Sequence, residues 1–437
     1  MSAIDLEQTT AAARVSELSQ ELRGSEILRI AAEVREFAAA GNAMVNLTVG
    51  DFNPKEFPIP KELEDAVVEA LRAGESNYPP SNGLESLKVA VQSFYEREFG
   101  RRYPLDQILI CSGARPAIYS FFRAVVDPGD RVIYGAPSWN NDYYCVLVGA
   151  EPVAIDCGEA TNFLLTRQVL EGVISGARFL SLNSPLNPTG TVISQETLGD
   201  ICDLVIEENE RRAARHERPL FVMYDQVYWM LTVGDARHTD PVSLRPEIAP
   251  YVVYVDAISK AFAATGLRVG WAIGPADIIK PMGDIVTHMG AWAPRAEQVA
   301  TAKLLNNVAA VDRFIATMRT EAAARLDAMY VGLRALRDAG MPVDCVRPQG
   351  AIYVSAQFAL HGRHTSKGVT LRTDDDVRRF LLNEAGVAAI PFDAFGAQGG
   401  DGWFRLSIGA VSVKQINDSV ERIRTAIRAL ERPGQHD

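Results

Sequence analysis

The chain has 437 residues, 47% hydrophobic and 23% charged, the balance of an ordinary globular protein. Its formal net charge of -11 argues against a nucleic-acid-binding surface, and no apolar run nears the roughly 18 residues of a membrane span. The length exceeds what one core usually fills, so two domains are expected.

The first dozen residues read as frayed, and they lack the cationic start and apolar core of a secretory signal, so cytoplasmic residence is the expectation. Residues 25–40 read as a helix stopped by Gly41-Asn42. An extended stretch from Met44 to Gly50 and a Pro-rich loop from Asn53 to Pro60 follow, then helices over 61–73 and 83–98. From about 107, short apolar runs alternate with helical patterns: Ile108 to Ile110, Val132 to Tyr134, Pro152 to Ile155, Phe179 to Leu182, Leu220 to Tyr224, Val252 to Val255. That alternation predicts an α/β fold, a mostly parallel sheet between helices, with functional groups beyond the carboxyl ends of its strands. The charged run 209–218 reads as a solvated helix end. After about 310 the pattern changes to long helix, strand, helix, strand, helix, a second and smaller α+β domain. Thr373 with Asp374, Asp375 and Asp376 caps one of its helices, and Ser412 with Gln415 forms a capping box on the last. Five scattered cysteines without a Cys-x-x-Cys indicate a reducing compartment and no zinc site. His361 and His364 have metal-compatible spacing but no acidic or thiol companions, and no metal is expected.

Lys260 is the residue around which a function organises. The run Tyr251 to Ile258 delivers it from a buried strand, where desolvation disfavours the ammonium form and favours a Schiff-base nucleophile. Eight residues on stands Arg268, a permanent cation suited to a phosphate. Together they point to a phosphorylated carbonyl compound. Asp225 follows the strand ending at Tyr224; alone it could be a cap or a loop residue, but beside Lys260 it could keep a pyridine nitrogen protonated. Tyr228 and Asn187 could reach a phenolic oxygen on the same ring, Tyr228 being otherwise a packing aromatic and Asn187 part of the turn Asn183 to Gly190. Ser112-Gly113-Ala114-Arg115 opens a helix whose free N–H groups could hold a phosphate, as many helix starts could. Trp139 could stack on a heteroaromatic ring or sit in a core or interface. Arg405, within an alternating apolar strand, needs an anionic partner, and a substrate carboxylate would serve.

These residues, in order, resemble the fold-type I pyridoxal-phosphate aminotransferases of class I/II over roughly residues 20 to 430. The carrying motifs are Ser259-Lys260-Ala-Phe-Ala-Ala-Thr-Gly-Leu-Arg268-Val-Gly, the Asn183 to Gly190 turn, Pro128-Gly129-Asp130, Gly350 to Tyr353 and Arg405-Leu-Ser. The resemblance implies a seven-stranded, mostly parallel sheet in a large cofactor-binding domain, 55–310. It also implies a small domain built from the N-terminal segment 1–54 and from 311–437. The cofactor would be pyridoxal 5′-phosphate, held as a Schiff base on Lys260, which would also move the substrate proton. Asp225 would face the pyridinium, Tyr228 and Asn187 the ring oxygen, and Trp139 the ring face. Gly113, Ala114, Ser259 and Arg268 would cradle the phosphate. Arg405 and the Gly50 backbone would take the substrate α-carboxylate, and Asn187 would help Arg405 orient the substrate. Tyr78 would reach the phosphate of a neighbouring subunit in a homodimer. The implied reaction moves an amino group from an L-amino acid to a 2-oxo acid, without nucleic acid or membrane as partner.

Arg115 aligns with a position where one aspartate aminotransferase subgroup reads a distal carboxylate, so aspartate or glutamate is a candidate donor; an added phosphate contact or a surface arginine is the alternative. Arg295 is a second candidate for that task. Gln226 stands where the family usually has Asp-Glu, Leu186 replaces a more polar residue, and Phe392-Asp393 and Asp51-Phe52-Asn53-Pro54 depart from the usual patterns. The changes at Phe392 and Asp51 are expected near the substrate mouth. Two rivals remain on the sequence alone. One is a lyase or decarboxylase using the same cofactor. The other is a non-enzymatic sensor domain, for which the couple of dozen residues before the match are too few to hold a DNA-binding module.

Overall fold

The structure, a computed structural model, describes residues 15–22 and 24–430; the frayed start expected of the first dozen residues lies outside them. The strands in chain order are β1 (Val45–Asn46), β2 (Ile108–Cys111), β3 (Arg131–Ala136), β4 (Glu151–Asp156), β5 (Ala177–Asn183), β6 (Phe221–Asp225), β7 (Val252–Ala257) and β8 (Gly270–Ile273), followed by β9 (Val343–Cys345), β10 (Tyr353–Phe358), β11 (Val387–Ala388), β12 (Ile390–Pro391) and β13 (Trp403–Ser407). Seven of them form one sheet in the order β2-β8-β7-β6-β5-β3-β4. All its neighbours pair in parallel except β8, which runs antiparallel to both β2 and β7. Every residue of β7 is buried, the pattern of a strand covered on both faces.

The reversed strand decides where Arg268 lies. Because β8 runs against the others, its beginning sits at the edge where β2, β3, β5, β6 and β7 end. Arg268, two residues before β8, therefore joins the residues that follow those strands. The sheet is parallel apart from this strand, and the expected α/β architecture is observed.

A four-stranded antiparallel sheet, β12-β13-β10-β9, forms a second unit. Its apolar core takes Val45, Leu47, Phe52 and Phe57 from early in the chain together with residues from Met318 to Leu430. Short strand β1 pairs in parallel with β11, tying the two ends of the chain together; of the extended stretch expected over Met44 to Gly50, only these two residues form a strand. The expected cap at Thr373 closes a full capping box with Asp376, and the expected capping box at Ser412 with Gln415 is present, each contributing about 1 kcal/mol. The last helix, Val413–Arg428, buries Ile416, Val420, Ile423 and Ile427 on one face.

The charged run 209–218 ends its helix largely in solvent, as expected, with Glu210 and residues 213–218 exposed, but Asn209 and Arg212 turn inward. Glu208, just before it, and Arg212 within it are 7% and 4% exposed and ion-paired at 2.6 Å. Arg212 also donates to the carbonyls of Ile174 and Arg218. The sequence shows the charges but not the carbonyls they fold against. No described helix is long and apolar enough to cross a membrane.

Candidate active site

The edge where the strands end opens into a cavity of about 460 Å3 between the two sheets. Lys260 stands on the short helical turn Ile258–Ala261 directly after β7 and lines this cavity. Its Nζ donates to the carbonyl of Gly50 at 2.6 Å. Burial holds its pKa down to about 8; Asp51 pulls it up, while Arg405, Arg115 and Arg268 push it further down. Near pH 7, then, about a tenth of Lys260 is a free amine, and above about pH 8 most of it is.

Asp225 ends β6 and lines the same cavity. Burial pushes its pKa up to about 6, against the Val227 N–H it accepts at 3.2 Å and the charge of Lys260. Asn183, the last residue of β5, donates to the Asp225 carbonyl and accepts from the Asn187 N–H, both at 2.9 Å. The turn carrying Asn187 is thereby hung on the strand carrying Asp225. Tyr228 lies one turn beyond Asp225, its hydroxyl 2.6 Å from that of Tyr353. Burial raises the Tyr228 pKa, so this side chain is a neutral hydrogen-bonding group.

Arg268, with φ +56°, donates to the carbonyls of Thr265 at 2.7 Å and Ser112 at 3.0 Å. Its guanidinium lies against Gly113, the N-cap of the helix Ala114–Val125. A Cβ on Gly113 would fall 2.7 Å from the guanidinium carbon and closer still to Nη2. A Cβ on Gly270 would fall 2.6 Å from the Gly113 carbonyl carbon. Two missing side chains thus let a helix N-terminus and an arginine meet, with Ser259 also lining the cavity. That is a receptor for a phosphate dianion.

Arg405, on β13, is 2% exposed and reaches the same cavity from the other sheet. It donates to the Thr48 carbonyl at 2.6 Å and to Asn187 Oδ1 at 3.1 Å, with the rings of Tyr353 and Phe395 at 4.7 and 4.8 Å. Its Nε has no protein partner. A buried guanidinium with unfilled donor capacity is a receptor for an anion.

Of the remaining expected residues, Gly50, Ala114, Trp139 and Arg115 line the cavity, and the Arg115 guanidinium lies 4.3 Å from the Trp139 ring centre. Tyr78 does not line it: that side chain is 81% exposed and its ring meets Trp292 edge-on at 5.5 Å. Arg295 is ion-paired with Glu75 and is likewise absent from the cavity wall. Phe392 and Asp393 line a neighbouring cavity, where Phe392 packs on Phe163 and Trp403, so they are not at this mouth; Asp51 is. His361 pairs with Asp374 and His364 with Thr370, two separate contacts. Sequence reasoning missed Thr265, which donates to Asp51 at 2.7 Å, and Ile27 and Leu28, which line the mouth. Asp51 was visible as the neighbour of Gly50; Ile27 and Leu28 carried no signal beyond their helix.

A carboxylate, a depressed lysine, a phosphate cradle and a buried guanidinium opening on one cavity fit the chemical parts of pyridoxal 5′-phosphate and an amino acid. The fold and this site define a pyridoxal-phosphate enzyme built on a two-domain α/β frame. Known proteins narrow the class. The profile of the family described as aminotransferase class I and II matches residues 42–423, and the chain belongs to that family. It is 30% identical to an aspartate aminotransferase of Rhizobium meliloti, over 93% of this chain and 94% of that protein. It is 29% identical to an aspartate/prephenate aminotransferase of Cereibacter sphaeroides, over 95% and 99%. A crystal structure of the Rhizobium meliloti aspartate aminotransferase superposes with a TM-score of 0.87 at 28% identity, covering 95% and 99%. The Thermus thermophilus aspartate aminotransferase with maleate gives 0.82 at 27%, covering 94% and 99%.

Enzymes of this family use pyridoxal 5′-phosphate, and the chain is a pyridoxal-phosphate-dependent aminotransferase that moves an amino group from an L-amino acid to a 2-oxo acid. Elimination and decarboxylation are not favoured, because these relatives are named aminotransferases.

Proposed function

We propose that this aminotransferase acts on acidic amino acids, aspartate or glutamate, as donor. The observation that carries this reading is the Arg115 guanidinium over Trp139, on the wall of the cavity that also holds Arg405. Two cations on one cavity suit a substrate with two carboxylates. The names of the relatives, aspartate and aspartate/prephenate aminotransferase, support the same choice.

Pyridoxal phosphate, when bound, supplies an electron-withdrawing ring. Lys260 and Asp225 hold its aldehyde and its ring nitrogen, Tyr228 and Asn187 its ring oxygen, and Trp139 its face. Gly113, Ala114, Ser259 and Arg268 hold its phosphate. Arg405 Nε and the Gly50 backbone hold the α-carboxylate of the substrate and so orient its Cα–H toward Lys260. Lys260 Nζ, largely neutral above about pH 8, takes that proton and later returns one. Asp225 stays anionic above about pH 6 and keeps a proton on the nitrogen it faces. Tyr353, 2.6 Å from the Tyr228 hydroxyl, fixes where that hydroxyl points. Residues 1–54 and 311–437 act as one small domain against the large domain 55–310. The enzyme works as a cytoplasmic homodimer, in which the exposed Tyr78 serves the neighbouring site.

Comparing donors with wild type and Arg115→Gln tests the substrate class. Loss of aspartate and glutamate turnover by tenfold or more, with alanine little changed, is the expected result. Equal loss with alanine would sink it. Light scattering on the intact protein tests the dimer; a monomer at micromolar concentration would refute it.

A further inference from the structure

Behind Asp225 and Lys260, on the side away from the cavity, lies a closed set of buried polar groups that the proposed chemistry does not use. Asp256, on β7 and 2% exposed, is its centre. Its Oδ1 accepts from the Ala257 N–H at 2.7 Å. Its Oδ2 accepts from Trp229 Nε1 and from the Tyr95 hydroxyl, both at 2.9 Å. Tyr95 in turn accepts from Gln226 Nε2 at 3.0 Å and Trp271 Nε1 at 3.1 Å. Gln226 Oε1 faces His238 Nε2 at 3.3 Å, and burial holds His238 neutral, its pKa down to about 3.

The direction of this chain is fixed by counting protons. Two N–H groups fill the Tyr95 oxygen, so its own proton must go to Asp256. Neutral His238 donates to Gln226 Oε1, which leaves Gln226 Nε2 as donor to Tyr95. Every link runs toward Asp256, the terminal acceptor. A carboxylic proton on Asp256 would meet donors only.

The position of this acid has a consequence for the site. The resemblance to the aminotransferases places an acid at position 226, where this chain has Gln226. Here the amide follows β6 and the acid is on β7, across the same hydrogen-bonding chain. Asp256 also touches both turns that present active-site groups. Through Ala257 it holds the start of the Lys260 turn. Through Trp229, whose N–H bonds the Gln226 carbonyl at 2.8 Å, it holds the turn carrying Tyr228.

We propose that Asp256 is a positioning residue of the active site, the acceptor that ends this buried chain and locks the Asp225–Tyr228 and Lys260 turns together in place of an acid at position 226. One acid and one amide are required, in either order. Burial pushes the Asp256 pKa up to about 7, against the Ala257, Trp229 and Tyr95 donors that hold it down, with Asp225 as a nearby like charge adding to the rise.

The inference rests on the reading of Asp225 and Lys260 as cofactor partners, and the test separates the two. Full-length protein freed of cofactor is titrated with pyridoxal 5′-phosphate from pH 5 to 9, following tryptophan fluorescence. Asp256→Asn should weaken affinity tenfold or more at pH 8. The exchange variant Gln226→Glu/Asp256→Asn should recover affinity to within threefold of wild type. Unchanged affinity in Asp256→Asn, or an exchange variant no better than the single one, overturns the proposal. If Asp256→Asn does not fold, a folded exchange variant of near wild-type affinity supports the proposal and its failure overturns it. Lys260→Ala and Asp225→Asn run alongside. If both bind the cofactor as wild type does, the cofactor reading fails; if they lose affinity while Asp256→Asn does not, only the role of Asp256 fails.

Discussion

Replacing Gly113 by alanine separates backbone strain from loss of the phosphate cradle. Gly113 has φ +81° and ψ -178°, a region open essentially to glycine alone, where another residue costs about 1–3 kcal/mol. That cost falls on the folded protein with or without cofactor. The new Cβ would also stand 2.7 Å from the guanidinium carbon of Arg268, which must swing away from the Ser112 carbonyl. A charge-assisted hydrogen bond is worth about 1.5–3 kcal/mol, so losing one to a phosphate weakens binding by about 10- to 150-fold. Gly129→Ala is the matched control: its φ is +86°, yet a Cβ there meets nothing within 4 Å. Thermal melting and titration with pyridoxal 5′-phosphate distinguish the two effects. Both variants should melt earlier, and only Gly113→Ala should lose affinity. If Gly113→Ala binds the cofactor within threefold of wild type, the placing of the phosphate between Gly113 and Arg268 is wrong.

Three further outcomes follow from the same groups. Arg405→Gln should lower kcat/KM for every amino donor by about 30- to 5000-fold, the 2–5 kcal/mol of a broken buried charge pair, while cofactor affinity holds; steady-state kinetics with several donors measures it. Lys260→Met should stabilise the cofactor-free protein at pH 7. The fall from 10.5 to about 8 corresponds to roughly 3 kcal/mol, which water in the cavity reduces to about 1 kcal/mol. Since the folded-state pKa of this base is depressed, the cost is full below pH 8 and fades by about 10.5, and denaturant melts at pH 7 and 10 should differ accordingly. Asp51→Asn removes the charge that raises Lys260, so the acid limb of the pH–rate profile should move to lower pH; an unmoved limb would show that Asp51 does not act on Lys260.

Residues whose role follows from their own strand were legible in the sequence. Lys260 and Asp225 each follow an apolar run, and a strand end in a parallel sheet locates them at once. Arg268 was legible as a cation, but its position depends on β8 running backwards, which composition does not reveal. Arg115 was the first candidate and Arg295 the second as readers of a distal carboxylate. What separates them is Glu75, 220 residues from Arg295 in sequence, which takes that arginine away from the cavity. Within the largely exposed run at 209–218, the inward turn of Arg212 was hidden for the same reason, since it is buried against the carbonyl of Ile174. Phe392 was expected at the substrate mouth because it departs from a pattern; it packs instead on Phe163 and Trp403 from distant stretches. Asp256 was hidden in plain view, one acid in a run read for its apolar character.

Several of the places where this chain breaks local rules lie together. A lysine and carboxyls sit where burial opposes their charged forms, a glycine occupies a conformation closed to other residues, and an arginine keeps an unfilled donor, all around the end of one sheet. Elsewhere capping boxes are in place and amphipathic helices pack on their apolar faces. Such concentration of strain marks a site whose stability depends on what it binds. The cofactor would satisfy Asp225, Lys260 and Arg268 together, so its binding should stabilise the protein by RT ln(1 + [L]/Kd), about 4 kcal/mol at a thousandfold excess over Kd. That stabilisation should shrink in Asp225→Asn and Gly113→Ala but persist in Arg405→Gln, whose vacancy belongs to the substrate. A variant series melted with and without pyridoxal 5′-phosphate would therefore sort the cavity into the residues that hold the cofactor and the residue that waits for the amino acid.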